Sequence, residues 1–203
     1  MIHFEPVPEP AEFDSQARQP GRQWLLTHPT GRIRDLWSPF TPNLELGFGN
    51  LCGYLAMEIP FGEIDHYLSK SEARCLAYEW SNYRYVCERM NKRKGSRSPE
   101  GIHVLDPFGV QDDWFEVELP SFHLVATDRI PPEYRERAEY TIKKLRLARD
   151  PRILRLRQAW YKRYQEGLSL EELKKAAPLI ARAIEKQTRL SSHVSTKTLN
   201  GRS

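Results

Sequence analysis

Glu63-Ile64-Asp65-His66, then Asn82, then Asn91-Lys92-Arg93-Lys94-Gly95, is the stretch of this 203-residue chain that decides how it is read. A phosphodiester resists hydrolysis because its charge repels nucleophiles and its leaving alkoxide is poor. A hydrolase must therefore supply a base for water and a cation for the departing oxygen. Asp65, His66 and Asn91 are residue types that can supply both. A histidine of unperturbed pKa about 6.5 is largely neutral near pH 7 and can accept a proton from water. From Asn82 to Val86 a strand-like alternation passes into a short basic helix closed by Gly95. Adjacent residues on a regular strand point to opposite faces, so a twist or a strand end is required if Asp65 and His66 are to serve one pocket.

The ordered set Asp65-His66, Asn82, Asn91 resembles the HNH family of ββα-metal nucleases. That family's pattern runs Asp-His or His-His on a strand, Asn in the middle, and His or Asn on a short helix. The resemblance implies an α+β fold with a ββα core. It makes His66 the general base, Asp65 and Asn91 the ligands of a divalent metal, and Asn82 a catalytic brace for the loop that orients the base. Two oxygen donors leave most of a metal's sphere to water and phosphate, as magnesium is usually held, so Mg2+ is the expected ion, with Mn2+ as a substitute, rather than zinc. The layout of the whole chain is also similar to small bacterial HNH proteins of antiphage systems, including the nuclease subunit of Septu-type systems. This implies DNA as substrate, 5′-phosphate and 3′-hydroxyl products, and an ATPase partner subunit.

Many HNH proteins carry two Cys-x-x-Cys pairs around the motif that bind a structural zinc. Here Cys52 is followed three positions on by Leu55, and Cys87 by Met90. Two thiolates do not complete a tetrahedron, and Cys75 lies in Ala73-Arg74-Cys75-Leu76-Ala77, which reads as an ordinary small apolar helix position. A structural zinc is not expected, and Leu55 and Met90 read as apolar packing in its place.

Five Trp and nine Tyr within 39% hydrophobic residues permit a real core, and 29% charged residues make a soluble surface. No apolar run approaches a membrane span, and the N-terminus lacks the basic-then-apolar pattern of a signal peptide. Three cysteines without framework spacing argue against a secreted disulfide scaffold. The expected location is the cytoplasm. The net charge of +4 says little by itself. Lys92, Arg93, Lys94 and Arg97 follow Asn91 directly, where a phosphate backbone would lie, and are the expected nucleic-acid contacts. The competing reading is a solvated helix end, since the backbone dipole favours cations there.

Residues 1–45 are rich in proline and read as an extended arm with one short helix near Gln23-Trp24-Leu25-Leu26. Trp24, Leu36, Trp37 and Phe40 should bury against the core. Residues 46–126 form the expected nuclease core. In it, Leu55–Ile59, a Pro60-Phe61-Gly62 turn and Glu63–His66 read as a hairpin, Ser71–Tyr78 as a helical turn, and the segment around Trp114–Leu119 as a following β-hairpin. Asp106, Asp112 and Asp113 are read as turn residues rather than a second metal site. Residues 127–190 are helical. Tyr134, Ala138, Ile142 and Leu145 recur at helix spacing, Asp150-Pro151 is a cap and start, and Ser169-Leu170-Glu171-Glu172 is a capping box. A break is expected at Pro178. Trp160 and Tyr164 among arginines read as core packing, and 191–203 as a polar tail without fixed structure.

No internal repeat or phosphate-binding glycine loop is present, so no ATPase is expected in this chain. Two other functions compete with the DNA nuclease. One is a nucleic-acid-binding or assembly subunit with a vestigial site. The other is an RNA nuclease, since nothing in the sequence reads the sugar.

Overall fold

The computed structural model describes residues 1–97 and 101–199, and it is a mixture of helices with two small antiparallel hairpins, an α+β fold. The N-terminal arm is more helical than its prolines suggest. A π-helical turn, Asp14–Arg18, runs into α1 (Gln19–Thr27). Pro20 falls in the first turn of α1, where its missing N–H costs nothing. Arg18 fixes the junction by pairing with Glu9 and Asp14. Gly21 presses its backbone against the Tyr78 ring, where a Cβ would sit only 2.3 Å from the ring carbon. The arm then turns at Asp35, whose carboxylate accepts from the Trp37 and Ser38 amides, and enters α2 (Thr41–Gly47). Trp37 and Phe40 are buried as expected, whereas Trp24 and Leu36 are only partly covered.

The centre of the chain is a two-stranded antiparallel sheet followed by a helix. β1 (Glu63–His66) pairs with β2 (Tyr83–Val86), Asp65 opposite Arg84 and His66 opposite Tyr83, and α3 (Glu88–Lys94) follows at once. Gly95 ends α3 with φ +70°, the left-handed conformation that glycine adopts without a Cβ penalty. The expected hairpin between Leu55–Ile59 and β1 is corrected. Residues 52–56 instead form a tight reversal in which the Ala56 amide donates to the Cys52 carbonyl at 2.8 Å, and Glu58 bridges back to Leu51. With 55–59 turned away, β1 takes β2 as its partner. The loop between the strands carries two 3-10 turns, Arg74–Leu76 and Trp80–Asn82, and Cys75 on the first is exposed rather than packed.

A second hairpin, β3 (Phe115–Glu118) with β4 (His123–Ala126), lies where the sequence suggested one. α4 (Pro132–Leu145) buries Ala138, Thr141 and Leu145. α5 (Pro151–Gln165) starts at Asp150, whose carboxylate accepts from the Arg152 and Ile153 amides, a cap of the kind that contributes about 1 kcal/mol. Arg157 on α5 is buried. Its guanidinium donates to the Phe122 and Leu147 carbonyls and so ties α5 to the second hairpin. The Ser169 capping box opens α6 (Leu170–Ala176), and the chain breaks before Pro178 into α7 (Pro178–Leu199). Residues 191–199 of the expected tail continue α7, and 200–203 lie outside the described residues. Among the described residues, no helix is long and apolar enough to cross a membrane.

One core runs through all of this. Phe13, Phe40, Trp80 and Tyr83 stack edge to face with centroids 5.0 to 6.5 Å apart, joining the arm to β2. Arg84, buried under Phe108, grips Asp106 through two 2.6 Å hydrogen bonds and holds the segment after α3 against the sheet. Asp106 is thereby spent on structure, Asp112 pairs with Arg182, and Asp113 with Arg129.

Candidate active site

The strand end expected from the sequence is present. β1 stops at His66, the Tyr67 amide donates to the Asn82 carbonyl, and Asp65 and His66 line the same cleft of ≈ 510 Å³ together with Asn91 and Lys94 from α3.

His66 is held by its surroundings in one protonation state and one tautomer. Its Nε2 lies 2.9 Å from the Ala77 carbonyl oxygen. A carbonyl only accepts, so Nε2 carries the proton and Nδ1 keeps its lone pair. The ring sits edge-on to Trp37 and Tyr83 at 4.6 and 4.9 Å. Burial, reinforced by the nearby Lys70 charge, pushes its pKa down to about 3. The imidazole is therefore neutral across the physiological range.

Asn82 explains why Ala77 stands where it does. Its carboxamide closes on Leu68 from both sides, Oδ1 accepting from the amide at 2.8 Å and Nδ2 donating to the carbonyl at 2.9 Å, and Nδ2 also reaches the Leu76 carbonyl. This fixes both ends of the loop between β1 and β2. The Tyr83 hydroxyl fills the second lone pair of the Ala77 carbonyl at 2.7 Å. Asn82 thus touches the loop and not the cleft.

Asp65 has both oxygens engaged. Oδ1 accepts from the Lys94 ammonium at 2.7 Å and Oδ2 from the Tyr54 hydroxyl at 3.1 Å, with the Asp65 side chain 2% exposed. Asn91 does not reach Asp65. Its Nδ2 donates to Glu63 Oε1 at 2.8 Å. The residues expected to share a metal are therefore brought to one cleft but bonded to different neighbours. A divalent ion on Asp65 Oδ1 would compete with the Lys94 ammonium, so as bonded here Asp65, His66 and Asn91 are not preset around one metal. Among the described residues no group of three or more His, Cys, Asp or Glu is placed to hold an ion.

The basic run after Asn91 is not one surface, and its cations point to different neighbours. Lys92 is exposed and pairs with Glu88 one turn earlier. Arg93 turns inward to the Leu145 carbonyl and Asp150. Lys94 is buried on Asp65. Arg97 is exposed at the edge of the described segment. Helical spacing is the cause, since three consecutive helix residues point in three directions.

Cys52 and Cys87 lie with sulfurs 3.8 Å apart, and Leu55 and Met90 are buried beside them. Two thiolates on a tetrahedral zinc with Zn–S bonds of about 2.3 Å would stand about 3.8 Å apart. The same distance is that of a thiol hydrogen bond between the two sulfurs, with Leu55 and Met90 buried three residues further along each turn. Burial raises the Cys52 thiol, while the hydrogen bond from Cys52 and the first amides of α3 favour the Cys87 thiolate.

Sequence reasoning missed four residues at the site: Glu63 and Lys70, which line the cleft, and Tyr54 and Trp37, which contact its side chains. Glu63 was findable, because it stands two residues before Asp65 on the same strand face. Lys70 lies in the loop that follows β1, whereas Tyr54 and Trp37 come from distant segments and carry no local signal. A second cavity, ≈ 560 Å³ between α7 and β3, is lined by charges that pair across it, Arg182 with Asp112 and Lys186 with Glu116. The β1–α3 cleft is where an unspent base meets the Lys70 ammonium, which rests on Trp37 rather than on a carboxylate. No protein-family model matches the chain, and no curated protein matches it.

Proposed function

We propose that this chain is a nuclease that hydrolyses phosphodiester bonds of DNA, with His66 as general base. The observation that carries the reading is the Nε2-to-Ala77 hydrogen bond, which leaves a neutral imidazole with its Nδ1 lone pair available. The ββα order of β1, β2 and α3, with Asn82 bracing the loop that presents Ala77, supports the same role.

A water between Nδ1 and the phosphate gives its proton to His66 as its oxygen bonds to phosphorus. The bond to the leaving alkoxide breaks, and that oxygen takes a proton from solvent, leaving a phosphomonoester and an alcohol. A base of such low proton affinity is weak in the free protein. Burial is the main cause of that low affinity, with Lys70 and Lys94 adding to it, and a bound phosphate anion would act against the lysines' share alone.

A second reading is a nucleic-acid-binding subunit that does not hydrolyse, favoured by the Lys94–Asp65 closure of the cleft. Incubating the protein with supercoiled plasmid and with a structured RNA, each in Mg2+, in Mn2+ and in EDTA, separates the two. Nicked or linear plasmid supports the nuclease reading, RNA cleavage alone moves the substrate, and intact substrates under every condition leave only binding.

A further inference from the structure

Two ammonium groups border His66. Lys94 donates to Asp65 Oδ1 and to the His66 carbonyl. An ammonium has three N–H donors, so one remains, and Lys94 lines the cleft. Lys70 lines the same cleft, with Nζ 4.3 Å from the centre of the Trp37 ring. The aromatic face holds this cation without neutralising it. Among the described residues no carboxylate comes within ion-pair distance of Lys70, although Asp35, Glu63 and Asp65 act on it from further away.

The cleft does not stop at Lys70. It is continuous, through Glu63, Ile64, Lys70, Ser71 and Asn91, with a groove of ≈ 780 Å³ that runs under the N-terminal arm to Arg32 and Arg74. Arg74 spends its guanidinium on the carbonyls of His28 and Gly31, which position the group but leave its charge uncompensated. Arg32, Arg74 and Lys70 therefore mark a path along the arm toward His66, with the carboxylates of Asp35 and Glu63 also on its walls, and the arm supplies one wall of it.

We propose that Lys70 and Lys94 form a metal-free cradle for the phosphodiester, each taking a non-bridging oxygen, while the strand runs out beneath the arm along Arg32 and Arg74. This rests on the nuclease reading of the same cleft and names the groups that hold its substrate. Lys94 then has two tasks, one N–H on the strand-bound Asp65 and one on the phosphate. Lys70 is preset on Trp37, so little side-chain freedom is lost on binding.

The test is fluorescence anisotropy of labelled single-stranded DNA, duplex DNA and RNA oligonucleotides with the full chain in EDTA, across a salt series. Lys70→Met should weaken binding about tenfold, the loss of one charged contact, and reduce the log-log salt slope by about 0.7 on single strands or 0.9 on duplex. Lys70→Arg should recover most of the affinity. Lys94→Met combined with Asp65→Asn removes both charges, so the interior stays neutral, and should weaken binding comparably. Which oligonucleotide binds best fixes the substrate class. Wild-type affinity in Lys70→Met, or binding that appears only when Mg2+ or Mn2+ is added, overturns the cradle. Cleavage with Mg2+ alongside unaffected binding in both variants would overturn the cradle and leave the nuclease reading standing. Lysine-dependent binding in EDTA without cleavage under any ion would keep the cradle and remove the nuclease.

Discussion

Lys94 Nζ stands 2.7 Å from Asp65 Oδ1 with both side chains almost wholly out of solvent, so the last turn of α3 is bonded to the end of β1 through one buried ion pair. Neither charge would be tolerated alone. Lys94→Ala leaves an uncompensated carboxylate, and breaking such a pair costs on the order of 3–5 kcal/mol. Replacing both, Asp65→Asn with Lys94→Met, should recover much of that loss. Urea denaturation of the two single variants and the double variant measures it. A Lys94→Ala protein as stable as wild type would mean the pair is not formed.

The same pair makes a statement about metal. If Lys94 occupies the cation position of Asp65, Mn2+ binding by the wild-type protein should be weak, and Lys94→Met should strengthen it by freeing the carboxylate. Electron paramagnetic resonance of free Mn2+ reads this without any activity assay. Tight stoichiometric Mn2+ binding by the wild type, unchanged in Lys94→Met, would show that the ammonium is not in the ion's way.

His66 predicts a pH dependence of folding. Its folded pKa is lowered to about 3 from the ordinary imidazole value of 6.5, mainly by burial, with Lys70 and Lys94 adding to the shift and the Ala77 carbonyl and Asp35 opposing it. Between those values the unfolded chain binds a proton that the folded chain refuses, so stability is full above about pH 6.5 and declines as pH falls toward 3. The loss is on the order of a few kcal/mol. His66→Phe should flatten this part of the stability curve, and an unchanged slope in the variant would assign the effect to other groups.

The Cys52 and Cys87 sulfurs, 3.8 Å apart, predict a gain of function in metal binding. Leu55→Cys with Met90→Cys supplies the two missing thiolates on the same two turns, and the double variant should take up one Zn2+ per chain. Cobalt substitution gives the readout, thiolate-to-cobalt charge-transfer bands with tetrahedral d–d absorption. Absence of those bands in a folded variant would mean the turns at 52–55 and 87–90 do not point inward as described.

The parts of the fold that were legible in the sequence are those specified by local chemistry. The Asp150 and Ser169 caps, the break at Pro178 and the β3–β4 hairpin each depend on residues within a few positions of one another, and each is found in place. The α1 helix was underestimated because Pro20 and Gly21 were read as breakers. In the fold Pro20 takes the first turn, and Gly21 is required by the Tyr78 ring. The 55–59 segment has the composition of a strand, but the reversal begun at Cys52 turns it away from β1. Asp65, His66 and Asn91 do share a cleft, yet Asp65 is bonded to Lys94 and Tyr54, and Asn91 to Glu63. Those pairings depend on where α3 lies against β1 and on a tyrosine eleven positions before Asp65, as the Tyr54 contact shows. No spacing within the motif encodes them.

The most direct test of the central claim is single-turnover cleavage of plasmid DNA by wild type and by His66→Ala, under whichever ion condition supports wild-type cutting, with circular dichroism confirming that both fold. General-base loss lowers rates by about 10²–10⁴-fold, so the variant should bind DNA as wild type does and cut slower by that factor. A His66→Ala protein that is folded and cleaves at the wild-type rate would contradict the account.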